Sequence, residues 1–509
     1  MKQRKRLTRA TVSYALNLIV SGSLYIGNSE NIQAAEKKTY TRVPFTAFSS
    51  QMPDALLGSD KYEKPVWNLH DALNLPQWLS ASVEQRTRYE TMSGSFKANS
   101  KGGDQQIPLQ TTLWLEAHLS SFRLGTEFMD ARALNSDSGT GVNNTMADTA
   151  DFLQGYGAWS DQNILYSGIG AEVVAGRQTL NLGSRRLVAR NTFRNTVNSF
   201  TGVKLRLLDY GNWQFNGFVS TPVNRLPNSN ASNAAVANNL EVFDRENTNT
   251  WFSGGFLELY DLGWKINSEV YLYHLDEGSS TSVPTRHRRY FTPGARFYIK
   301  PAKAEIDFQL ETIGQFGTVQ ETTAPNSKNL NHTAWFQHAD VGYTIDMPWS
   351  PRLALEYDYA SGDKNPNDNK DQRFDTLYGV RRDDFGPTGI YGAFSRANIN
   401  SPGYRINVSP RSDVQVTLSH RVFWLAQATD CWGGATCSGS SLILQDKTGH
   451  SGNNLGQQLN LSSRWDFNSS LNFETGWSHL FKGSFAKNAP RAPASVDVDY
   501  FYIESMLRF

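Results

Sequence analysis

The chain has 509 residues, with 49 lysines and arginines against 48 aspartates and glutamates, and this balance excludes the strongly basic surface of a nucleic-acid-binding protein. It has only two cysteines, which excludes a disulfide framework and a cysteine-rich zinc site. A mean hydropathy of −0.49 combined with 12% aromatic residues fits either a secreted soluble β-protein or an outer-membrane barrel.

The N-terminus has the order of a secretory signal peptide. "MKQRKRLTR" carries five bases and no acid, a short apolar run follows, and small residues stand at Ala34 and Ala35. Ser, Asn and Gly interrupt the run before it reaches the ~20 apolar residues that a membrane anchor needs. We therefore predict a signal peptide over residues 1–35, a periplasmic segment over 36–78 and a β-barrel over 79–509.

Polar and apolar residues alternate repeatedly along the rest of the chain. Examples are "AEIDFQLETI", "RLALEYDYA", "DVQVTLSHRVFW" and "QLNLSSRWDF". Soluble sandwiches also alternate, but their strands usually have about five or six residues. The longer segments here, with aromatic residues near their ends, are typical of strands that cross a membrane in a closed barrel.

In chain order the pattern predicts eighteen strands, near residues 80–90, 109–119, 121–131, 151–159, 170–179, 199–208, 211–221, 250–260, 263–274, 288–299, 303–314, 332–345, 351–360, 402–409, 412–426, 455–467, 469–481 and 498–509. The connections alternate between short and long, and only the turn near 160–169 is longer than its class. This alternation predicts an all-β protein, a transmembrane antiparallel β-barrel with short periplasmic turns and long extracellular loops. Both termini then lie in the periplasm.

One segment, "GAEVVAGRQTLNLGSRRLVARNTFRNT", gathers arginines with almost no acid beside them: Arg177, Arg185, Arg186, Arg190 and Arg194. If the loop that carries most of them folds inward, it makes a positive constriction for anions, because charges that line a pore set its selectivity. If it points outward, it is a solvated surface or a lipopolysaccharide-binding patch. Most inward charges on the strands should instead pair and brace the wall, because unpaired charges in a narrow pore are costly.

Several segments resemble the alginate export family: "LNLPQWLSASVEQRTRYE", "VAGRQTLNLGSRR", "LALEYDYASGDKN" and "SHRVFWL". The resemblance covers roughly residues 70–509 and implies a monomeric barrel of eighteen strands with an arginine-rich constriction that passes an anionic polysaccharide. The candidate constriction residues are Arg86, Arg88, Arg177, Arg185, Arg186, Arg190, Arg405, Arg421 and Arg464. The long periplasmic turn that plugs the alginate exporters is replaced here by the tight turn of "WDFNSSLNF", so we expect a channel that is always open or gated differently.

The expected function is export of an anionic, alginate-like polysaccharide, and the alternative is uptake of small anions such as carboxylates. Expected partners are those anions, outer-membrane lipid and lipopolysaccharide, and a periplasmic export scaffold. The barrel-insertion machinery is also an expected partner, because the last strand ends in Phe509. No cofactor and no nucleic acid are expected.

Enzymatic and metal-binding interpretations are weaker. Ser419 and His420 are neighbours on a strand and face opposite sides, so they cannot form a nucleophile–base pair, and a G-x-S-x-G elbow is missing from the sequence. "GDKNPNDNKD" has calcium-loop spacing only in part, because Asp368 stands at the glycine position. Cys431 and Cys437 could close a small loop by a disulfide in an oxidising compartment.

Overall fold

The computed structural model describes residues 65–100, 102–137, 141–227, 233–279, 283–437 and 442–509. Eighteen antiparallel strands form one sheet, which closes because the first strand pairs with the last from Glu84 opposite Arg508 to Ser93 opposite Asp499. The predicted fold, an eighteen-stranded antiparallel barrel, is confirmed. The predicted signal peptide, residues 1–35, lies outside the described residues.

The barrel strands are β1 Leu79–Ser93, β2 Asp104–Leu119, β3 Phe122–Leu134, β4 Asp148–Asp161, β5 Gly170–Gln178, β6 Phe200–Asp209, β7 Trp213–Asn224, β8 Thr250–Leu259, β9 Asn267–Glu277, β10 Arg289–Ile299, β11 Ile306–Gln320, β12 Asn329–Thr344, β13 Arg352–Ala360, β14 Ile399–Arg411, β15 Val414–Trp424, β16 Asn454–Asp466, β17 Leu471–Lys482 and β18 Val498–Arg508. Among the described residues, the loops add four two- or three-residue strands, Arg245–Glu246, Lys370–Asp371, Trp432–Gly433 and Leu442–Leu444. Helix α1 Leu69–Ala72 precedes β1, and the connections carry α2 Asn233–Ala237, α3 Arg382–Phe385, α4 Ser484–Asn488 and a 3₁₀ turn over Ile164–Tyr166.

Alternation along each strand separates a lipid face from a lumen face. On β13, Leu355 is 72% exposed while the adjacent Glu356 is 5% exposed, and Leu355 lies beside Val341 and Tyr404 of the neighbouring strands. An apolar outer face is what the bilayer requires, because a charge that faces lipid at mid-depth costs about 2–4 kcal/mol. The polar residues of the same strands are therefore turned into the lumen.

The connections keep the alternation that the sequence predicts. One end of the barrel has turns of two to eight residues, for example 120–121, 412–413 and 467–470, while the other end carries the long loops 179–199, 225–249, 361–398 and 425–453. Aromatic pairs mark both rims, Trp465 with Phe467 at 5.4 Å and Phe316 with Trp335 at 5.1 Å between ring centroids. The end with the short turns is periplasmic.

The described part of the N-terminal segment contacts this periplasmic end. The Trp67 backbone N–H donates to Ser470 Oγ at 2.8 Å, and the Trp67 ring lies 6.5 Å from that of Phe509. His118 donates its backbone N–H to the Trp78 carbonyl at 2.7 Å. Within the described ranges, no helix has the length and apolar content needed to cross a membrane.

Candidate functional site

Two extracellular loops fold into the lumen, and we call them the first inward loop (residues 179–199) and the second inward loop (residues 361–398). Leu187, Val188 and Phe193 of the first are buried, as are Phe374 and Phe394 of the second. The loops contact strands on widely separated parts of the barrel wall, from β1 and β3 to β11 and β17. They therefore connect separate parts of the barrel wall across the lumen.

The two loops are joined through their backbones. Tyr378 donates its backbone N–H to the Leu187 carbonyl at 2.9 Å, and Val380 donates to the Arg185 carbonyl at 3.0 Å. Gly379 is required between them, because a Cβ at that position would lie 1.8 Å from the Arg186 carbonyl oxygen. The inward loops consequently form one packed unit, which we call the plug.

Ion pairs attach the plug to the wall. Nine arginines can each be matched to a different carboxylate: Arg86–Glu504, Arg88–Glu90, Arg185–Asp383, Arg186–Glu311, Arg190–Glu127, Arg382–Glu474, Arg396–Asp384, Arg405–Glu356 and Arg421–Asp358. Five of these pairs, those of Arg186, Arg190, Arg382, Arg185 and Arg396, include an arginine of an inward loop. Three of the five, Arg186–Glu311, Arg190–Glu127 and Arg382–Glu474, join an inward loop to the wall. Removal of one partner of a buried ion pair is strongly destabilising, so these pairs hold the loops in place.

Asp384 binds two arginines of the plug. Its Oδ2 accepts from Arg186 Nε at 3.0 Å, its Oδ1 accepts from Arg186 Nη2 at 2.9 Å, and Arg396 also donates to it. Although burial opposes ionisation, Arg186 and Arg396 lower the pKa of Asp384 well below its usual range. Arg421 on β15 donates to the Asp384 carbonyl at 2.8 Å, so α3 is fixed through both its side chain and its backbone.

Arg86 and Arg88 on β1 hold the backbone of the first inward loop. Arg88 Nη1 donates to the Phe193 carbonyl at 2.9 Å and its guanidinium stacks on the Phe193 ring at 3.9 Å. Arg86 donates to the Arg194 carbonyl at 3.1 Å. These two arginines are 2% and 1% exposed, so they act as buried anchors of the loop.

Two arginines of the plug differ from the others. Within the described part of the chain, Arg194 and Arg381 have no carboxylate at ion-pair distance; Arg194 donates instead to the Thr196 carbonyl and to Asn198 Oδ1. Burial and the charge of Arg396 lower the pKa of Arg381 to about 10, which still leaves it cationic at neutral pH. Burial, with the nearby charges of Arg225 and Arg381, lowers the pKa of Arg194 well below its usual range.

The structure separates the sequence-predicted arginines into three groups. Arg86, Arg88, Arg185, Arg186, Arg190, Arg405 and Arg421 belong to the plug network. Arg177 lies at the extracellular rim, on the same side of β5 as Val173 and the exposed Ala175, and pairs with Glu246 at 2.8 Å. Arg464 lies near the periplasmic end of β16, 41% exposed, and pairs with Asp466 at 2.8 Å.

Cys431 and Cys437 form a disulfide in the loop 425–453. Arg373 of the second inward loop joins this loop to the plug, since it donates to Asp430 Oδ2 at 2.7 Å and to the Cys431 carbonyl at 3.0 Å. The plug is therefore supported from the extracellular side as well as from the wall.

Sequence reasoning missed the contribution of the second inward loop. Arg381, Arg382, Asp383, Asp384 and Arg396 all lie in a stretch that the sequence presents only as a long outer loop. The available signal was its composition: "GVRRDDFGP" combines adjacent acids and bases with flanking glycines and a proline, which indicates tight turns. The pairing partners could not be read from it, because Arg382, Asp383 and Asp384 pair with residues outside this stretch.

Ser419 and His420 lie on opposite faces of β15. Ser419 is buried toward the lumen and accepts from Asn460, whereas His420 contacts Gln457 on the outer face. The two side chains therefore do not form a catalytic pair, and the fold indicates a channel rather than an enzyme.

The barrel is similar to solved porins of Pseudomonas aeruginosa. OccK2 (OpdF), in complex with glucuronate, has a TM-score of 0.53 and 10% identity over 85% of this chain and 98% of that chain. OccK8 (OprE) has the same TM-score, identity and coverage, and OccD3 (OpdP) has a TM-score of 0.51 and 11% identity over 91% and 98%. A search of curated protein sequences finds no significant match.

A closed barrel with a lipid-facing apolar surface and a charged lumen is an outer-membrane channel of a bacterium. The alginate export family model matches residues 77–496, which is most of the sequence. The chain belongs to the alginate export family.

Proposed function

We propose that this channel exports an anionic polysaccharide of the alginate type, and that the polymer passes the plug beside Arg194 and Arg381. The observation that carries the proposal is that these two arginines of the plug have no carboxylate partner among the described residues. A carboxylate on each sugar of a polyuronate matches such a site, because charge-assisted hydrogen bonds between guanidinium and carboxylate groups are strong and can be bidentate. Family membership supports the same substrate class.

The paired arginines have a second role in this proposal. A polymer that enters the plug offers successive carboxylates, each of which can replace an internal acid such as Asp383, whose side chain is 53% exposed. Such exchange keeps every arginine neutralised while the chain advances, so no step leaves a buried charge unpaired. In this proposal the network both closes the lumen and provides a path for anions.

The alternative is uptake of single carboxylated sugars or similar small anions. The observation in its favour is the close packing of the plug, where Phe394 and Phe423 stack at 3.6 Å between ring centroids. OccK2, which shares the fold, binds glucuronate in its solved structure. A narrow passage suits a small solute better than a polymer.

Block of ionic current by uronates of graded length distinguishes the two functions. Glucuronate, oligouronates or neutral oligosaccharides of the same length are added to either side of a planar bilayer that contains the purified protein. For export, block should strengthen with length from the periplasmic side, and Arg194→Gln or Arg381→Gln should weaken it about tenfold or more, since a hydrogen bond to a charged group contributes about 1.5–3 kcal/mol.

The matched control is Arg411→Gln, because Arg411 is 65% exposed beside a periplasmic turn and pairs with Asp413. This control should leave the block unchanged. Permeation of glucuronate without entry of the oligomers would favour uptake, and equal block by neutral and charged oligomers would contradict both functions.

A further inference from the structure

Three carboxylates meet at the extracellular rim, away from the plug network. They belong to Asp148 and Asp151 at the start of β4 and to Asp244 in the loop 225–249, and one oxygen from each lies within 4.8 Å of the others. Oxygen atoms that coordinate one Ca²⁺ at 2.3–2.6 Å are at most about 5 Å apart. The spacing of the three carboxylates is therefore that of ligands to a single hard cation.

A β-bulge creates this convergence. Residues three apart on a regular strand face opposite sides of the sheet. Between the pairs Met129–Asp151 and Ala131–Asp148 the register shifts, and Ala150 has a φ of 57°. Asp148 and Asp151 consequently point to the same side, and both are buried at 2% and 3% exposure. Bulges often re-aim side chains at functional positions.

Asp148 is incompletely satisfied. Its Oδ1 is buried and makes no hydrogen bond within the described ranges. By contrast, Asp151 accepts from the backbone N–H groups of Phe152 and Asp244, and Asp244 Oδ1 accepts from Leu226 N–H at 2.6 Å. A buried carboxylate oxygen without a donor is unfavourable unless a cation occupies the space in front of it.

The nearby arginines do not fill this space. Arg225 donates to the Asn144 carbonyl at 2.8 Å and to Asn198 Oδ1 at 2.5 Å. Arg177 donates to the Phe152 carbonyl at 2.9 Å and approaches Asp151 Oδ1 only to 3.6 Å. Neither guanidinium hydrogen-bonds to a carboxylate of the cluster, although both reduce the net negative charge around it.

We propose that Asp148, Asp151 and Asp244 bind one calcium ion, which joins the loop 225–249 to the start of β4. Calcium fits better than magnesium because it accepts irregular geometry and completes its shell with water, whereas Mg²⁺ requires a near-ideal octahedron. The site lies outside the ion pairs of the plug, although the charge of Asp148 acts on the nearby Arg194. It stabilises an outer loop in the wall region beside Arg177.

Isothermal titration calorimetry of the purified full chain in detergent tests the site, with CaCl₂ added after removal of bound cations by EDTA. Wild type should show one saturable site that prefers Ca²⁺ to Mg²⁺, and Asp148→Asn and Asp244→Asn should weaken it at least tenfold. Glu241→Gln is the matched control, because Glu241 lies in the same loop with a side chain that is 66% exposed, outside the cluster. It should bind as wild type does.

Two results would overturn the proposal: an absence of saturable binding by wild type, or unchanged binding by Asp148→Asn. Heat-modifiable mobility on gels verifies that each variant retains the folded barrel. As a second readout, calcium should slow tryptic cleavage after the exposed Arg245 in wild type and in Glu241→Gln, but not in Asp244→Asn. Equal cleavage of wild type with and without calcium would also contradict the proposal.

Discussion

Replacement of Asp384 by asparagine should release the plug. Asp384 holds Arg186 through two hydrogen bonds, at 3.0 and 2.9 Å, and also holds Arg396. Asparagine keeps the size of the side chain but removes its charge. Arg186 retains Glu311 at 2.6 Å, whereas Arg396, which is 1% exposed, loses its carboxylate.

The expected effect follows from burial. Removal of one partner of a buried ion pair costs about 3–5 kcal/mol, and each 1.4 kcal/mol is a factor of ten in an equilibrium. The population with a displaced plug should therefore rise by roughly two to four orders of magnitude. Single-channel recording measures this directly as the frequency and total time of large openings.

The adjacent residue supplies the control. Asp383 also pairs with an arginine, Arg185, at 2.5 Å, but the Asp383 side chain is 53% exposed. Exposed pairs contribute about 0–1 kcal/mol, so Asp383→Asn should change the opening frequency about fivefold at most. Equal opening of the two variants, with both barrels intact by heat-modifiable mobility, would refute the assignment of the buried network as the element that holds the plug.

Three further outcomes are expected. Because burial and Arg396 lower the pKa of Arg381 to about 10, anion selectivity measured by reversal potential should hold at neutral pH and fall as the pH rises through about 10. This step should be smaller in Arg381→Gln, in which lysines still titrate in the same range. Leu310→Arg, on the lipid face near mid-strand, should lower the free energy of unfolding in a urea titration by about 2–4 kcal/mol. Ile306→Arg, at the periplasmic rim, should lower it by about 0–1 kcal/mol. Equal losses would contradict the assigned depth of these two residues in the membrane. Cys431→Ser combined with Cys437→Ser removes the disulfide, which contributes about 2 kcal/mol, and should speed proteolysis of the loop 425–453. Unchanged proteolysis would mean that Arg373 alone fixes this loop.

The strands could be predicted from the sequence because the bilayer imposes a strict rule on them. Every second residue must be apolar where a strand meets lipid, so each of the eighteen predicted strands overlaps an observed one. This rule applies only to the part of a strand that faces lipid. Strand β11 accordingly continues to Gln320, beyond the predicted end at residue 314, because its extracellular part does not face lipid.

The plug could not be predicted in the same way. The arginines of the first inward loop have few acids beside them in sequence, and their partners Asp383 and Asp384 lie 198 residues away. No periodicity links such distant segments, because a loop that folds into a lumen follows no repeat of helix or strand. Only the three-dimensional structure distinguishes the paired Arg186 from Arg381.

The sequence pattern also fails to predict where side chains point at the extracellular rim. Arg177 belongs to the arginine-rich segment in sequence, yet it lies on the side of β5 away from the lumen and pairs with Glu246. The bulge at Ala150 that brings Asp148 and Asp151 together is a local break in alternation, and a pattern that assumes regular alternation assigns these two residues to opposite faces.

The proposed function requires that Arg194 and Arg381 make the passage selective for anions. The most direct test is the reversal potential of the purified channel in a planar bilayer under a KCl gradient, for wild type, Arg194→Gln, Arg381→Gln and the control Arg411→Gln. We expect anion selectivity in wild type and in the control, with a clear decrease in each of the other two variants. Cation selectivity of wild type, or the same reversal potential in all four proteins, would contradict it.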